Sequence, residues 1–459
     1  MKKFRGIGQR IGRIGLISPC SGNLGNAAIL SSMISNIRSR IPDAEIIGIT
    51  LSPEDTRYRH GIESFPITGT SHGMYHLVAS QRSLNERGET AHASPYNIKE
   101  KLKRVTWLRW AVRISRTVRL ELMHIFRSAR LVRTLDQVVV TGGGALDDFW
   151  GGPWGHPWTL FKFALLSRMY GVPFLFVSVG KCSLEHRLSR GFVGCALRLS
   201  QYRSFRDHES HADVIALFPH CSGSVEPDLA YGYRCTDLTR PQNQDSCDKP
   251  LVVAVSPIAF CDPRVWPLKD NQRYSQYVDQ LVQFLKRTIR DEHRLMLFAT
   301  DGGDTDTIKD ILETLADGSI DTERIQVLPY PPMQTTENLL QTIRGADIVI
   351  ASRLHAVILS HLIAIPVVAI SYDRKVDVHM SEIGQSKYCV NIEEFTSETL
   401  IGRMTVLSDA REFESDRLRC AVQRCREQAD AQYDLLFGAR HASSELDQSA
   451  DWLLTQVQR

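Results

Sequence analysis

In the run Gly345-Ala-Asp-Ile-Val-Ile-Ala-Ser-Arg-Leu-His-Ala356, an apolar stretch from Ala346 to Ala351 leads directly into Ser352, Arg353, Leu354 and His355. A buried strand there delivers a permanent cation and an imidazole to the first turn of the following helix. Unpaired backbone N–H groups and the positive end of the helix dipole meet at that point, so the segment suits a phosphate or a carboxylate. Arg353 and His355 diverge around the helix, which predicts a clamp flanking a ligand rather than a dyad on one face. An Arg and a His are costly beside so apolar a strand, which favours a functional reason for them.

Other strand ends carry further candidates. Arg206-Asp207 follows Tyr202 to Phe205, and Asp207 reads as the N-cap of a helix over His208 to Leu217, with Arg206 either facing a cleft or paired with Asp207 or Glu209. The turn Ser18-Pro-Cys-Ser-Gly22-Asn23-Leu24-Gly25-Asn26 has glycines that let the backbone approach a ligand, without the pattern of a dinucleotide loop or a P-loop. Gly142, Gly143 and Gly144 end another strand and make room ahead of Asp147 and Asp148. Trp150, Trp154, His156 and Trp158 come next, and their rings either stack on sugar faces at a cleft mouth or form a packed plug. Asp301-Gly-Gly-Asp304 reads as a turn and helix cap, and His361 as a core residue. No metal-ligand spacing, serine elbow or Cys-His pattern is present, so no metal or cofactor is expected.

The elements that position these residues alternate, strand-like runs with helical patterns, in two series; this is an α/β chain with parallel sheets. The first series comprises Arg13 to Ser18, a helix from Ala27 to Arg40, then Glu45 to Thr50, Gln137 to Thr141, Pro173 to Val179 and Tyr202 to Phe205. The second comprises Leu251 to Ser256, Arg294 to Thr300, Arg324 to Leu328, Asp347 to Ala351 and Pro366 to Ser371. Expected domains are residues 1–240 and 251–409, joined by the polar linker Arg234 to Pro250, with C-terminal helices over 410–459 packing back across both. Two such units face each other across a cleft, and every candidate above falls at or near the carboxyl end of a strand.

The 459 residues, 43% hydrophobic and 23% charged with net charge +3, exclude a general nucleic-acid binder. Ten cysteines without a CxxC pair fit free thiols in a reducing compartment. No apolar run reaches the ~20 residues of a membrane span, which makes the cytoplasm the expected compartment. Residues 51–135 interrupt the first series. From Lys101 to Arg133 they interleave Arg104, Arg109, Arg113, Arg116, Arg119, Arg127, Arg130 and Arg133 with Trp107, Trp110, Leu120, Met123 and Phe126. Such a helix either lies on an anionic membrane surface, contacts a charged polymer, or is a solvated basic face.

Taken in order, Gly22-Asn23-Leu24-Gly25, Gly142-Gly143-Gly144, Gly171-Val-Pro-Phe leading to Gly180, Arg206-Asp207-x-Glu209-Ser210, Pro227-Asp228-Leu-Ala, and Ser352-Arg353-Leu354-His355-Ala356 with Ile365 to Ala369 and Ser371-Tyr372-Asp373 resemble the polysaccharide pyruvyl transferase family. The resemblance runs from about Gly12 to Ile383. It implies two Rossmann-like domains of the GT-B-like kind. It also implies a reaction in which phosphoenolpyruvate gives a pyruvate ketal to a sugar of a surface polysaccharide or its precursor, lipid-linked or free. On that reading Arg353, Arg206, Leu354 and Ser352 bind the donor and His355 is the acid/base. Asn23, Gly25, Gly143, Gly144, Asp147 and Trp154 lie on the acceptor or cleft side. The chain departs from the family pattern at Asn26-Ala27, where a carboxylate is usual, and at Lys181-Cys182-Ser183 after Gly180.

Two other readings stand beside this one. A nucleotide-sugar glycosyltransferase of the same architecture would use Arg353 on a diphosphate, with Asp301 or Asp147 toward the acceptor. A catalytically inactive binding protein of polysaccharide assembly would keep ligand contacts without turnover.

Overall fold

The structure is a computed structural model that describes residues 12–20, 22–69, 98–149, 151–234, 250–316, 324–328 and 335–438, with the backbone alone over 98–114. The expected linker lies almost wholly outside the described residues, as do Trp150 and residues 439–459 of the expected C-terminal helices.

Two parallel sheets form the molecule. The first contains β1 (Arg13–Ser18), β2 (Glu45–Thr50), β3 (Glu63–Pro66), β4 (Gln137–Leu146), β5 (Phe174–Lys181), β6 (Tyr202–Phe205) and β7 (Ser224–Val225), in the order β3-β2-β1-β4-β5-β6-β7. The second contains β8 (Val252–Ser256), β9 (Arg294–Leu297), β10 (Ile325–Val327), β11 (Ile348–Ala351), β12 (Val367–Ser371) and β13 (Cys389–Asn391), in the order β10-β9-β8-β11-β12-β13. Central strands read as unbroken apolar runs because helices cover both faces; Ile348, Val349, Ile350 and Ala351 are all fully buried.

In each sheet the strand order reverses at one place, between β1 and β4 in the first and between β8 and β11 in the second. A crevice opens beyond the carboxyl ends of strands at such a reversal. The first reversal emits α1 (Leu24–Arg40) from β1, and the second emits α10 (Leu354–Leu362) from β11. The start of α1 is bonded to the second half of the chain: the Leu24 N–H donates to the Thr300 carbonyl, just after β9, at 2.8 Å, and Thr336 Oγ1 donates to the Leu24 carbonyl at 3.3 Å.

The intervening helices in chain order are α2 (Pro53–His60), α3 (Ile98–Val132), α4 (His156–Tyr170), α5 (Arg187–Leu199), α6 (His208–Leu217), α7 (Asn271–Arg290), α8 (Asp304–Leu315) and α9 (Thr336–Ile343). After α10 come α11 (Arg374–Glu382), α12 (Ser397–Asp409) and α13 (Arg411–Phe437). Helix α13 begins on the second sheet, where Arg411 pairs with Asp347 at 3.1 Å, and ends on the first. There Gln432 accepts from Ser178 and donates to Ser204, and Tyr433 meets Ser32 at 3.2 Å. This strap ties the two sheets together.

Three features differ from the expectations. Strand β4 runs through the glycines to Leu146, with a register shift against β5 between Gly143 and Leu146. Gly142 and Gly143 take φ of 48° and 66°, so the triplet is a bulge inside a strand rather than a strand end. Helix α1 starts at Leu24 rather than Ala27, because Asn23 caps it by accepting from the N–H groups of Gly25 and Asn26 at 2.9 and 3.1 Å. Strands β3, β7 and β13 have no long apolar run; they are short pieces at or near sheet edges whose pairing comes from their neighbours.

Candidate active site

Arg353 is the N-cap of α10, and its side chain makes no capping hydrogen bond to that helix. Its guanidinium grips Asp304, donating from Nη2 to Oδ1 at 2.8 Å and from Nε to Oδ2, and lies 3.8 Å from Asp301. Asp304 is fully buried and also accepts from the Ala259 N–H at 3.0 Å. Burial pushes the Asp304 carboxyl upward although Arg353 opposes it, whereas for Asp301 the opposition of Arg353, Asn23 and the Gly303 N–H to burial prevails and holds it low. Asn23 Nδ2 donates to Asp301 Oδ2 at 2.6 Å, so the cap of α1 also fixes the loop that holds Arg353. Ser352 turns away, to the hydroxyl of Tyr277 at 3.1 Å.

His355 diverges from Arg353, as the helix geometry requires. A Cβ on Gly25 would lie 2.2–2.4 Å from its ring, so α1 reaches this place only with glycine there. Gly25 is therefore a helical residue whose lack of a side chain admits the imidazole, not a turn glycine. His355 Nε2 lies 3.7 Å from Asp228 Oδ2, and Arg206 Nη1 lies 3.7 Å from the same oxygen. Arg206 also donates from Nε to Asp207 Oδ2 at 3.2 Å, and its guanidinium covers Gly180, where a Cβ would come within 2.6 Å. Asp207 caps α6 by accepting from the Ser210 N–H, as its sequence position predicts.

Three atoms of this cluster, Arg206 Nη2, Asp228 Oδ2 and His355 Nε2, are buried without a hydrogen-bond partner among the described residues. Buried polar groups are nearly always partnered, so atoms left open around one carboxylate mark a place for a polar guest. Burial tends to raise the Asp228 carboxyl, but His355, Arg206 and the Ala230 N–H overcome it and bring it to about 2. Asp228 is therefore a fixed negative charge between the Arg206 guanidinium and the His355 ring. Beside it opens a pocket of about 70 Å³ lined by Arg206, Asp228, Leu354, Lys375, His379 and Glu382 among others.

A second group adjoins this one through Lys375. Burial, with Asp148 adding to it, raises the Asp147 carboxyl to about 6 against the pull of the Phe149 N–H and Lys375. Lys375 lies over the Tyr372 ring at 4.9 Å and 3.5 Å from Asp373. Phe149, Trp266 and Tyr372 form an edge-on aromatic chain between the two sheets, with centroids 6.2 and 5.8 Å apart. Trp154 is not part of that chain; it packs with Trp158 and Phe192 at 5.7 Å, the plug arrangement. Gly143 faces α1, near Asn26 and Ile29, and Gly144 faces Cys182.

The structure thus brings Asn23, Gly25, Arg353 and His355 together across the sheets, with Arg206 joined through Asp228. Sequence reasoning missed Asp228, Asp304, Lys375 and His379 as site residues. Asp228 follows a proline in a short loop and Asp304 resembles a helix cap, so only tertiary packing reveals what they touch. His361 is core, fully buried and 3.3 Å from His379. Among the described residues no group of three or more His, Cys, Asp or Glu is placed to hold a metal ion.

Solved structures with this architecture include a Staphylococcus aureus protein, MnaA, determined with UDP (11% identity, TM-score 0.51, 98% of each chain covered). A UDP-GlcNAc 2-epimerase from Methanocaldococcus jannaschii matches at 10% identity and TM-score 0.51, over 86% of this chain and 93% of that one. A glycosyltransferase from Rickettsia africae matches at 9% identity and TM-score 0.52, over 93% and 98%. At these identities the likeness establishes a GT-B-like fold and nothing about substrates. No curated protein matches the sequence. The sequence model for polysaccharide pyruvyl transferases, by contrast, aligns with residues 23–374, from the cap of α1 to the first residue of α11. Most of the chain, including both sheet reversals and the residues that meet between them, is thereby accounted for, and the chain belongs to the polysaccharide pyruvyl transferase family.

Proposed function

We propose that this chain transfers a pyruvyl group from phosphoenolpyruvate to two hydroxyls of a sugar in a surface polysaccharide or its precursor, releasing phosphate. The observation that carries the reading is the set of open, buried polar atoms on Arg206, Asp228 and His355 beside the start of α10. Phosphoenolpyruvate presents a carboxylate and a phosphate. Arg206 Nη2 and the α10 N–H groups supply donors for such an anion, and Arg353, paired with Asp304, shapes the same helix end.

In this reading His355 protonates the methylene carbon, and the C2 cation that forms is attacked by the first sugar hydroxyl. The C2–O bond to phosphate then breaks and the second hydroxyl closes the ketal. Of the two hydroxyl protons, one replaces the proton given to carbon and the other leaves with phosphate. Asp228 faces the His355 ring with its negative charge, and Asp147, raised to about 6, accepts a hydroxyl proton near neutral pH. The Phe149, Trp266 and Tyr372 rings line the approach for the sugar. The reaction places the protein where activated glycans are assembled, on the cytoplasmic side of the membrane; among the described residues no helix is long and apolar enough to cross it.

The test is phosphate release from phosphoenolpyruvate with candidate glycans, including lipid-linked ones, followed by product mass. Transfer adds one pyruvic acid less one water to the glycan. Release of a nucleotide from a nucleotide sugar, with no use of phosphoenolpyruvate, would instead support the glycosyltransferase reading.

A further inference from the structure

Helix α3 leaves large apolar side chains in water beside its arginines. Its inner face combines polar anchors with apolar packing: Glu121 pairs with Lys162 at 2.7 Å and accepts from Trp158 Nε1 at 2.9 Å, buried His124 meets the Pro66 carbonyl at 2.8 Å, and Val132 is fully buried. These bonds fix the rotation of the helix. Its outer face carries four large apolar side chains: Val118, Leu122, Met123 and Phe126 are 48%, 52%, 51% and 72% exposed. At 100° per residue these four side chains fall within about 140° of arc. The arginines lie in and beside the same arc. Arg116, Arg119 and Arg130 are exposed, as are Arg127 and Arg133, which also stack over Phe65 and Tyr170. From Ser115 to Arg133 the one acidic residue is Glu121, which is turned inward.

We infer that this face of α3 docks on the surface of an anionic lipid bilayer, with Leu122 and Phe126 inserted at the headgroup boundary and the arginines on lipid phosphates. Apolar prongs one helical turn apart with cations between them match that interface. A second copy of the chain is a poor occupant, since a two-fold contact would set arginines against arginines. A soluble polyanion would engage the arginines and leave Phe126 without a role. The inference concerns a surface apart from the cleft and does not depend on what the cleft binds.

The experiment is flotation of the full chain with phosphatidylcholine vesicles, with and without phosphatidylglycerol. The wild type is expected to partition at least about tenfold better to the anionic vesicles. With about fivefold per arginine near the surface, Arg119→Gln with Arg130→Gln is expected to weaken this on the order of twentyfold. Leu122→Ser with Phe126→Ser is expected to abolish it while leaving the melting temperature unchanged or higher. Either variant pair binding like the wild type would overturn the inference. So would a wild-type chain that ignores both vesicles, floats equally with both, or proves to be a dimer split by the Leu122/Phe126 change.

Discussion

Asp228→Asn isolates one charge at the centre of the site while keeping the shape of the side chain and the acceptor for the Ala230 N–H, 2.9 Å away in the native protein. The native carboxyl is drawn from 3.8 to about 2, which at about 1.4 kcal/mol per pH unit corresponds to about 2.5 kcal/mol of stability at neutral pH. Because the folded-state value is depressed, that stabilisation is present above pH 3.8 and is lost as pH falls toward 2. The variant should therefore be less stable than the wild type by about 2.5 kcal/mol at pH 7, with the gap closing as pH falls below 3.8. Thermal or denaturant unfolding at pH 7 and at low pH measures it. In the proposed reaction the same change leaves His355 without the negative charge it faces, so kcat should fall at least about tenfold while the fold is retained. An Asp228→Asn protein with wild-type stability at pH 7 and wild-type turnover would refute the assignment of Asp228 as the charge between Arg206 and His355.

Gly25→Ala should be harmful although alanine normally stabilises a helix by about 1 kcal/mol: the new methyl meets the His355 ring, so turnover should drop without any rise in melting temperature. Asp304→Ala removes the buried partner of Arg353 and should cost about 3–5 kcal/mol, whereas Asp301→Asn, at a more exposed position, should cost under about 1 kcal/mol; unfolding measurements on both separate the two carboxylates. Asp147 has a folded value raised from 3.8 to about 6, so it favours folding below pH 3.8 and that contribution is lost as pH rises to 6. Asp147→Asn should remove this slope, gain about 3 kcal/mol at pH 7, and abolish the acidic limb near pH 6 of the pH–rate profile.

Much of the architecture was legible because central strands buried on both faces are continuous apolar runs, and those runs recur twice. The family was legible from short motifs in order. Less visible was the reason for individual residues. Gly25 reads as a turn glycine in sequence, yet it is helical and serves the approach of His355 from the other sheet. Arg353 reads as a bare cation, but its charge is compensated by Asp304, forty-nine positions earlier, on a helix start that looks like an ordinary cap. Arg206 gave two alternatives, cleft or ion pair, and it takes both, paired with Asp207 and lining the pocket. These relations depend on which strand ends face each other across the molecule, which local pattern does not encode. Edge strands such as β7 and β13 escaped notice for a similar reason, since neighbours rather than their own residues make them strands.

In the proposed function the cluster of Arg206, Asp228 and His355 beside the start of α10 holds phosphoenolpyruvate. Its most direct test is the thermal stability of the purified chain against increasing phosphoenolpyruvate, with UDP-GlcNAc as the comparison ligand and Arg206→Gln and Arg353→Ala as controls. At ~100 times its dissociation constant a ligand stabilises the native state by about 2.7 kcal/mol, enough to register as a shift in melting temperature. The melting temperature should rise with phosphoenolpyruvate, with the rise lost in both variants and absent with UDP-GlcNAc. A shift with UDP-GlcNAc and none with phosphoenolpyruvate, or a phosphoenolpyruvate shift that survives both substitutions, would contradict the proposed function.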